Sequence, residues 1–115
     1  MKVIDVGQKI TKDELRKMAE RTFGDMVKAV VDVRKRIMAV DAELHADQES
    51  HLLQTGSLQE HLWGINLYPE SEADEFIEFD SMINVRPARG NRSRTIDDPI
   101  VREQITAIVQ ELVEP

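Results

Sequence analysis

Four arginines fall within nine residues, Arg86, Arg89, Arg92 and Arg94, in the segment RPARGNRSR. A guanidinium is a planar fork of donors that matches a carboxylate or a phosphate. Gly90 and Asn91 tolerate positive φ, which lets backbone amides turn toward an anion. The chemistry predicted here is recognition of a small anionic group. Asp97 and Asp98 follow closely and compete for the same arginines. No P-loop or dinucleotide-binding spacing accompanies them.

A second set of polar residues comes from alternation. If Phe76–Arg86 is a strand, Glu78, Asp80, Met82, Asn84 and Arg86 share one face, and Ile77, Phe79, Ser81, Ile83 and Val85 share the other. Lys28, Val30, Asp32 and Arg34 alternate in the same way against Val27, Ala29, Val31 and Val33. Asn66 and Tyr68 take the polar positions of LWGINLY. If these faces coincide, Asp32, Asn66, Asp80, Asn84 and Arg86 line one polar surface beside Arg89, Asn91, Arg92 and Arg94. His45 is the expected rim residue, with an intrinsic pKa suited to proton transfer. The plainer alternative is a solvated sheet face carrying salt links between strands.

Other chemistries find less support. Glu43, His45, Asp47, His51, Glu60 and His61 contain no HExxH or HxH spacing, and no metal or cofactor is expected. Ser57, Ser81 and Ser93 lie in no GxSxG elbow. Trp63 and Tyr68 are expected to pack at the core and rim, the alternative being an aromatic wall for a ligand. The absence of Cys removes disulfides and thiol catalysis and fits a reducing cytoplasm.

Charge is sorted along the chain. The overall net charge is -7, and residues 37–85 hold eleven acids, all three histidines and no Lys or Arg. A polyanionic partner such as nucleic acid is disfavoured at long range. Aromatic residues at 4% leave little for base stacking. No run approaches the roughly 20 apolar residues of a membrane helix. Asp5 and Gly7 break the apolar stretch a secretory signal would need.

The elements that must position these residues are predicted from capping and periodicity. Lys2–Val6 reads as a strand. Thr11 and Glu14 have the capping-box spacing that opens a helix, which Gly24 can close. Met26–Val33 and Ile37–Ala42 read as a hairpin turning at Arg34, Lys35 and Arg36. A helix over 25–40 is the competing reading, disfavoured by β-branched density. Ala46–Gln54 suits a short helix and Leu62–Tyr68 a strand. Phe76–Arg86 is predicted as a long strand, Pro87–Thr95 as loop. Asp98 and Pro99 open a final helix whose buried stripe is Val101, Ile105, Ile108, Val109 and Leu112. With 115 residues this is one α+β domain, a four- to five-stranded mainly antiparallel sheet with two main helices packed largely on one face.

The blocks ELHADQESHLLQTGSLQEHLWGINLYP and FIEFDSMINVRPARGNRSRTIDDP resemble an uncharacterised family of small bacterial and archaeal proteins, a domain of unknown function. The resemblance implies a small, stand-alone cytosolic protein and implies no activity. The residues themselves point to binding, with or without transformation, of a small anionic metabolite at the Arg-rich loop and polar sheet face. The alternative is a non-catalytic interaction module that self-associates by setting its Arg loop against the acidic middle segment of a second copy.

Overall fold

A computed structural model describes all 115 residues. β1 (Lys2–Ile4) and β2 (Ile10–Thr11) lead into α1 (Lys12–Arg21). The capping box forms as expected, with the Glu14 amide donating to Thr11 Oγ1 at 3.1 Å. β3 (Val27–Asp32) and β4 (Ile37–Val40) make the hairpin, and α2 (His45–Gln54) crosses to β5 (Leu62–Leu67). A single turn, α3 (Ala73–Phe76), precedes β6 (Ile77–Glu78). α4 (Pro99–Leu112) starts with Asp98 accepting from the Ile100 amide and ends in β7 (Val113–Glu114). No helix is long and apolar enough to cross a membrane.

The main sheet is antiparallel throughout, in the order β1-β4-β3-β5-β6. β2 and β7 form a separate parallel pair beyond the predicted single sheet. α1 and α4 cover one face. There Leu15, Met18, Ile105, Ile108 and Leu112 pack on Val27, Ala29, Val31, Met38, Val40, Ile65 and Leu67. The opposite face carries a smaller cluster, Val30, Ala39, Leu52 and Leu62, roofed by α2. The two faces follow from strand alternation, which also places Lys28, Asn66 and Tyr68 on the α2 side.

The predicted long strand Phe76–Arg86 is corrected. Ladder pairing stops at Glu78, and Met82–Asn84 is a 3-10 turn. Ser81 Oγ accepts from the Ile83 amide and caps that turn, drawing the chain out of extension. The alternation breaks with it. Ile77 and Phe79 pack against the main core, whereas Ile83 packs against the small cluster on the other face. The chain therefore climbs over the edge of the sheet between residues 79 and 83.

Gly64 makes that climb possible. A Cβ at this position would lie 2.6 Å from the Cβ and Oγ of Ser81 and 3.0 Å from Ile83 Cγ1. Gly64→Ala must push the 81–84 segment off the sheet and should cost about 1–3 kcal/mol, as overpacking does. Urea unfolding of the variant checks this. An unchanged midpoint would show that the segment is free to move.

Candidate functional site

One edge of β5 is only partly paired with another strand. β6 pairs only with Asn66 and Leu67, so Gly64 and Leu62 have no neighbouring strand there. Side chains take its place. Asn84 Oδ1 accepts from the Gly64 amide at 2.8 Å, and Asn84 Nδ2 donates to the Gly64 carbonyl at 2.9 Å. One carboxamide thus supplies both bonds of a ladder residue. The Arg86 guanidinium donates to the Leu62 carbonyl, and its Nε donates to the Ile83 carbonyl at 3.1 Å. Arg86 stacks 4.8 Å from the Trp63 ring centre and meets Glu49 of α2 at 3.5 Å. Burial pulls its pKa below the usual arginine range, and Glu49 opposes the fall.

Asn91 organises the loop itself. Its Nδ2 donates to the carbonyls of Asn84, Ser93 and Thr95, and its Oδ1 accepts from the Asp97 amide. Gly90 supplies the left-handed turn before it. Asn84, Arg86 and Asn91 are thus engaged inside the protein. Arg94 pairs with Asp80 through Nε at 2.7 Å and Nη2 at 3.3 Å, and Arg89 pairs with Glu60 at 3.7 Å. Arg92 is exposed and makes no ion pair. Asp32 sits at the far end of β3. Its Oδ1 accepts the amides of Arg34 and Lys35 and its Oδ2 accepts Ser57 Oγ at 2.6 Å, so it shapes the hairpin turn. It lies four positions, about 13 Å of strand, from Lys28.

What the fold brings together is a different subset. Lys28, Asn66 and Glu78 stand directly opposite one another in one register row across β3, β5 and β6. Asn66 Nδ2 donates to Glu78 Oε1 at 2.8 Å and to the Asp80 carbonyl at 3.1 Å. The Tyr68 hydroxyl donates to the same Glu78 oxygen at 3.1 Å, and burial together with that carboxylate raises its pKa. The Asp80–Arg94 pair closes one side. Lys28 has no acidic partner and lies 4.9 Å over the Phe23 ring. Lys28, Glu78 and Phe23 were not among the expected site residues. The alternation of β3 already put Lys28 on the polar face, and only strand order could have singled it out.

His45, the first residue of α2, overhangs this row. Its Nε2 lies 2.7 Å from the Ile65 carbonyl, an oxygen that can only accept, so Nε2 carries a proton. Burial drives the His45 pKa below 6.5, which the Ile65 carbonyl opposes. Lys28 and Arg94 lower it further, and Asp80 raises it. The ring is therefore neutral near pH 7, with a free lone pair on Nδ1 and no protein group bonded there. Gln48, one turn on, is fully buried and donates its Nε2 to the Lys28 carbonyl. No group of three His, Asp or Glu side chains is arranged to hold a metal ion. A cavity of about 380 Å³ lies elsewhere, between α3 and the end of α4, lined by Lys12, Phe76, Ile77, Val109 and Val113.

Residues 3–112 match the family described as a protein of unknown function, DUF5674, and the chain belongs to that family. No curated protein and no solved structure matches the chain.

Two measurements follow from this geometry. The side chains of Arg86 and Glu49 are 10% and 15% exposed, whereas those of Arg89 and Glu60 are 57% and 46% exposed. Glu49→Gln leaves a largely buried guanidinium without its counter-charge and should cost about 2–4 kcal/mol, against less than about 1 kcal/mol for Glu60→Gln. Chemical denaturation of the two variants tests the ordering, and equal losses would refute it. The second concerns His45, whose folded pKa lies below its unfolded value near 6.5. The unfolded chain then binds the proton first, so stability is full above 6.5 and is lost as pH falls toward the folded pKa. NMR titration should give His45 a midpoint below 6.5. His45→Gln should flatten the loss of stability below pH 6.5.

Proposed function

We propose that this member of the family binds a small anionic metabolite on the α2 side of the sheet, over the row Lys28–Asn66–Glu78. Lys28 and the outer edge of Arg94 receive the anionic group. His45 stands beside it as a neutral acceptor, and Asn66 and Asp80 fix the orientation. Arg92, exposed and without an ion pair, raises the local concentration of anions at the entrance.

The observation that carries this reading is Lys28. It is a half-buried cation with no carboxylate of its own, in register with a buried amide and beneath a histidine whose Nδ1 is unpaired. A solvated sheet face has no reason to hold a neutral histidine against its strand carbonyls. Exposed Phe23 and Leu44 flank the same end of the sheet and supply apolar surface to a ligand. The arginines contribute differently than their density suggests. Three of the four neutralise Glu49, Glu60 and Asp80, so the loop is anchored by its charges and Lys28 is left as the recognition cation.

The experiment is thermal unfolding of the protein with millimolar phosphate monoesters and short-chain carboxylates. A ligand held at 100 times its dissociation constant stabilises by about 2.7 kcal/mol, a shift of several degrees for a domain of this size. Lys28→Gln should abolish the shift and leave the unliganded melting temperature within about a degree. No shift with any anion, or an undiminished shift in Lys28→Gln, would defeat the proposal.

A further inference from the structure

The cavity between α3 and the end of α4 shares no residue with the polar row over β3. Its apolar wall grows out of the main core. Phe76 and Val109 are buried members of that core, and Ile77 and Val113 pack against it while staying half-buried. The Val113 amide still donates to the Val109 carbonyl, so the two valines stand one helical turn apart and both line the cavity. At about 380 Å³ the space falls within the range of clefts that take small molecules, roughly 300–1,000 Å³. One cation stands in this lining. Lys12, the first residue of α1, is half-buried, and no carboxylate lies within ion-pair distance of its ammonium. Its Nζ lies 5.3 Å over the Phe76 ring. Glu72, the acid of the lining, is exposed.

We propose that this cavity is a second binding site, separate from the row over β3, and that it takes a monocarboxylate with an apolar body, of which a medium-chain fatty acid is the simplest. The carboxylate meets Lys12, and the apolar body lies against Phe76, Ile77, Val109 and Val113. The single charge follows from the lining. A lysine is a compact point charge, and no arginine fork is present to hold the several oxygens of a phosphate. A phosphate monoester also carries more than one negative charge at neutral pH, and the excess would stand against Glu72. The apolar body follows from Ile77 and Val113, whose exposed parts leave water when a ligand covers them.

The test is an NMR titration of the isotope-labelled protein with butanoate, hexanoate and octanoate at neutral pH. Shifts should saturate at Ile77, Val109 and Val113, and affinity should rise about fourfold for each methylene added, the value of burying one. Octanoate should bind about tenfold more tightly than 1-octanol, through its charge-assisted contact with Lys12. In Lys12→Gln that ratio should fall toward one while 1-octanol binds as before, which also shows the variant to be folded. Lys28→Gln should leave octanoate affinity unchanged, so this site stands or falls apart from the one over β3. No saturable shift at the cavity residues, an affinity independent of chain length, or an undiminished ratio in Lys12→Gln would overturn the proposal. Tighter binding of octyl phosphate than of octanoate would overturn the choice of a carboxylate.

Discussion

The unfinished edge of β5 is the constraint on which the rest of the structure depends. A strand that ends its ladder halfway leaves amide and carbonyl groups exposed, each costly when buried unpaired and an invitation to another strand when left in water. Here the edge is completed by side chains. The Asn84 carboxamide imitates a peptide group opposite Gly64, and the Arg86 fork takes the Leu62 carbonyl. Both residues come from one segment that leaves the sheet after Glu78, so the chain must turn sharply and lie across the face it has just edged. Gly64 allows the approach, Ser81 caps the turn, and Asn91 ties the loop behind it, its two amide hydrogens reaching three carbonyls. The Arg94 carbonyl accepts from the Ser81 amide and from Asn84 Nδ2. That fixes the backbone of residue 94, which allows its guanidinium to meet Asp80 and define one wall of the polar row. The edge repair and the site are thus one construction.

Much of the architecture could be read from the residues. Capping signals at Thr11 and Asp98 placed both main helices, because those signals are local and act within one turn. The β-branched run of residues 27–33 and the basic turn gave the hairpin. The α+β class and the antiparallel sheet followed from these. The segment after Phe76 departs from the predicted strand for a physical reason. Its alternation of apolar and polar residues is genuine, but it serves two different faces in succession: Ile77 and Phe79 one, Ile83 the other. A period of two cannot reveal a crossing from one face to the other. What decides it is the fit between Ser81 and Gly64, a contact across seventeen residues. The β2–β7 pair was missed because two-residue strands leave no periodic trace.

The polar positions divide along the same line. Asn66, Asp80, His45 and Arg94 do come together, with Lys28 and Glu78 beside them. Asp32 is held at the hairpin turn, and Asn84, Arg86 and Asn91 serve the backbone. Sequence identifies a residue able to bind an anion or a strand edge equally well, and an amide or a guanidinium does either. Only the location of unpaired backbone groups distinguishes the two uses, and that is a property of strand order.

The charge sorting that marks this chain then has a physical account. A base-free stretch of 49 residues carries eleven acids, and the arginines gather directly after it. In the folded protein Arg86, Arg89 and Arg94 turn back onto Glu49, Glu60 and Asp80 of that stretch. Neighbouring opposite charges inside the stretch would have allowed many local pairings of similar energy. Removing them leaves the loop few partners, each in a different element, and so selects one docking of the loop over others. Attraction of this kind contributes little net stability at exposed pairs and more at Arg86, where solvent is mostly excluded. Its larger consequence is specificity. Arg86, Arg89 and Arg94 are thereby committed to acids of the protein itself, and Lys28, on the α2 side of the sheet, has no acidic partner.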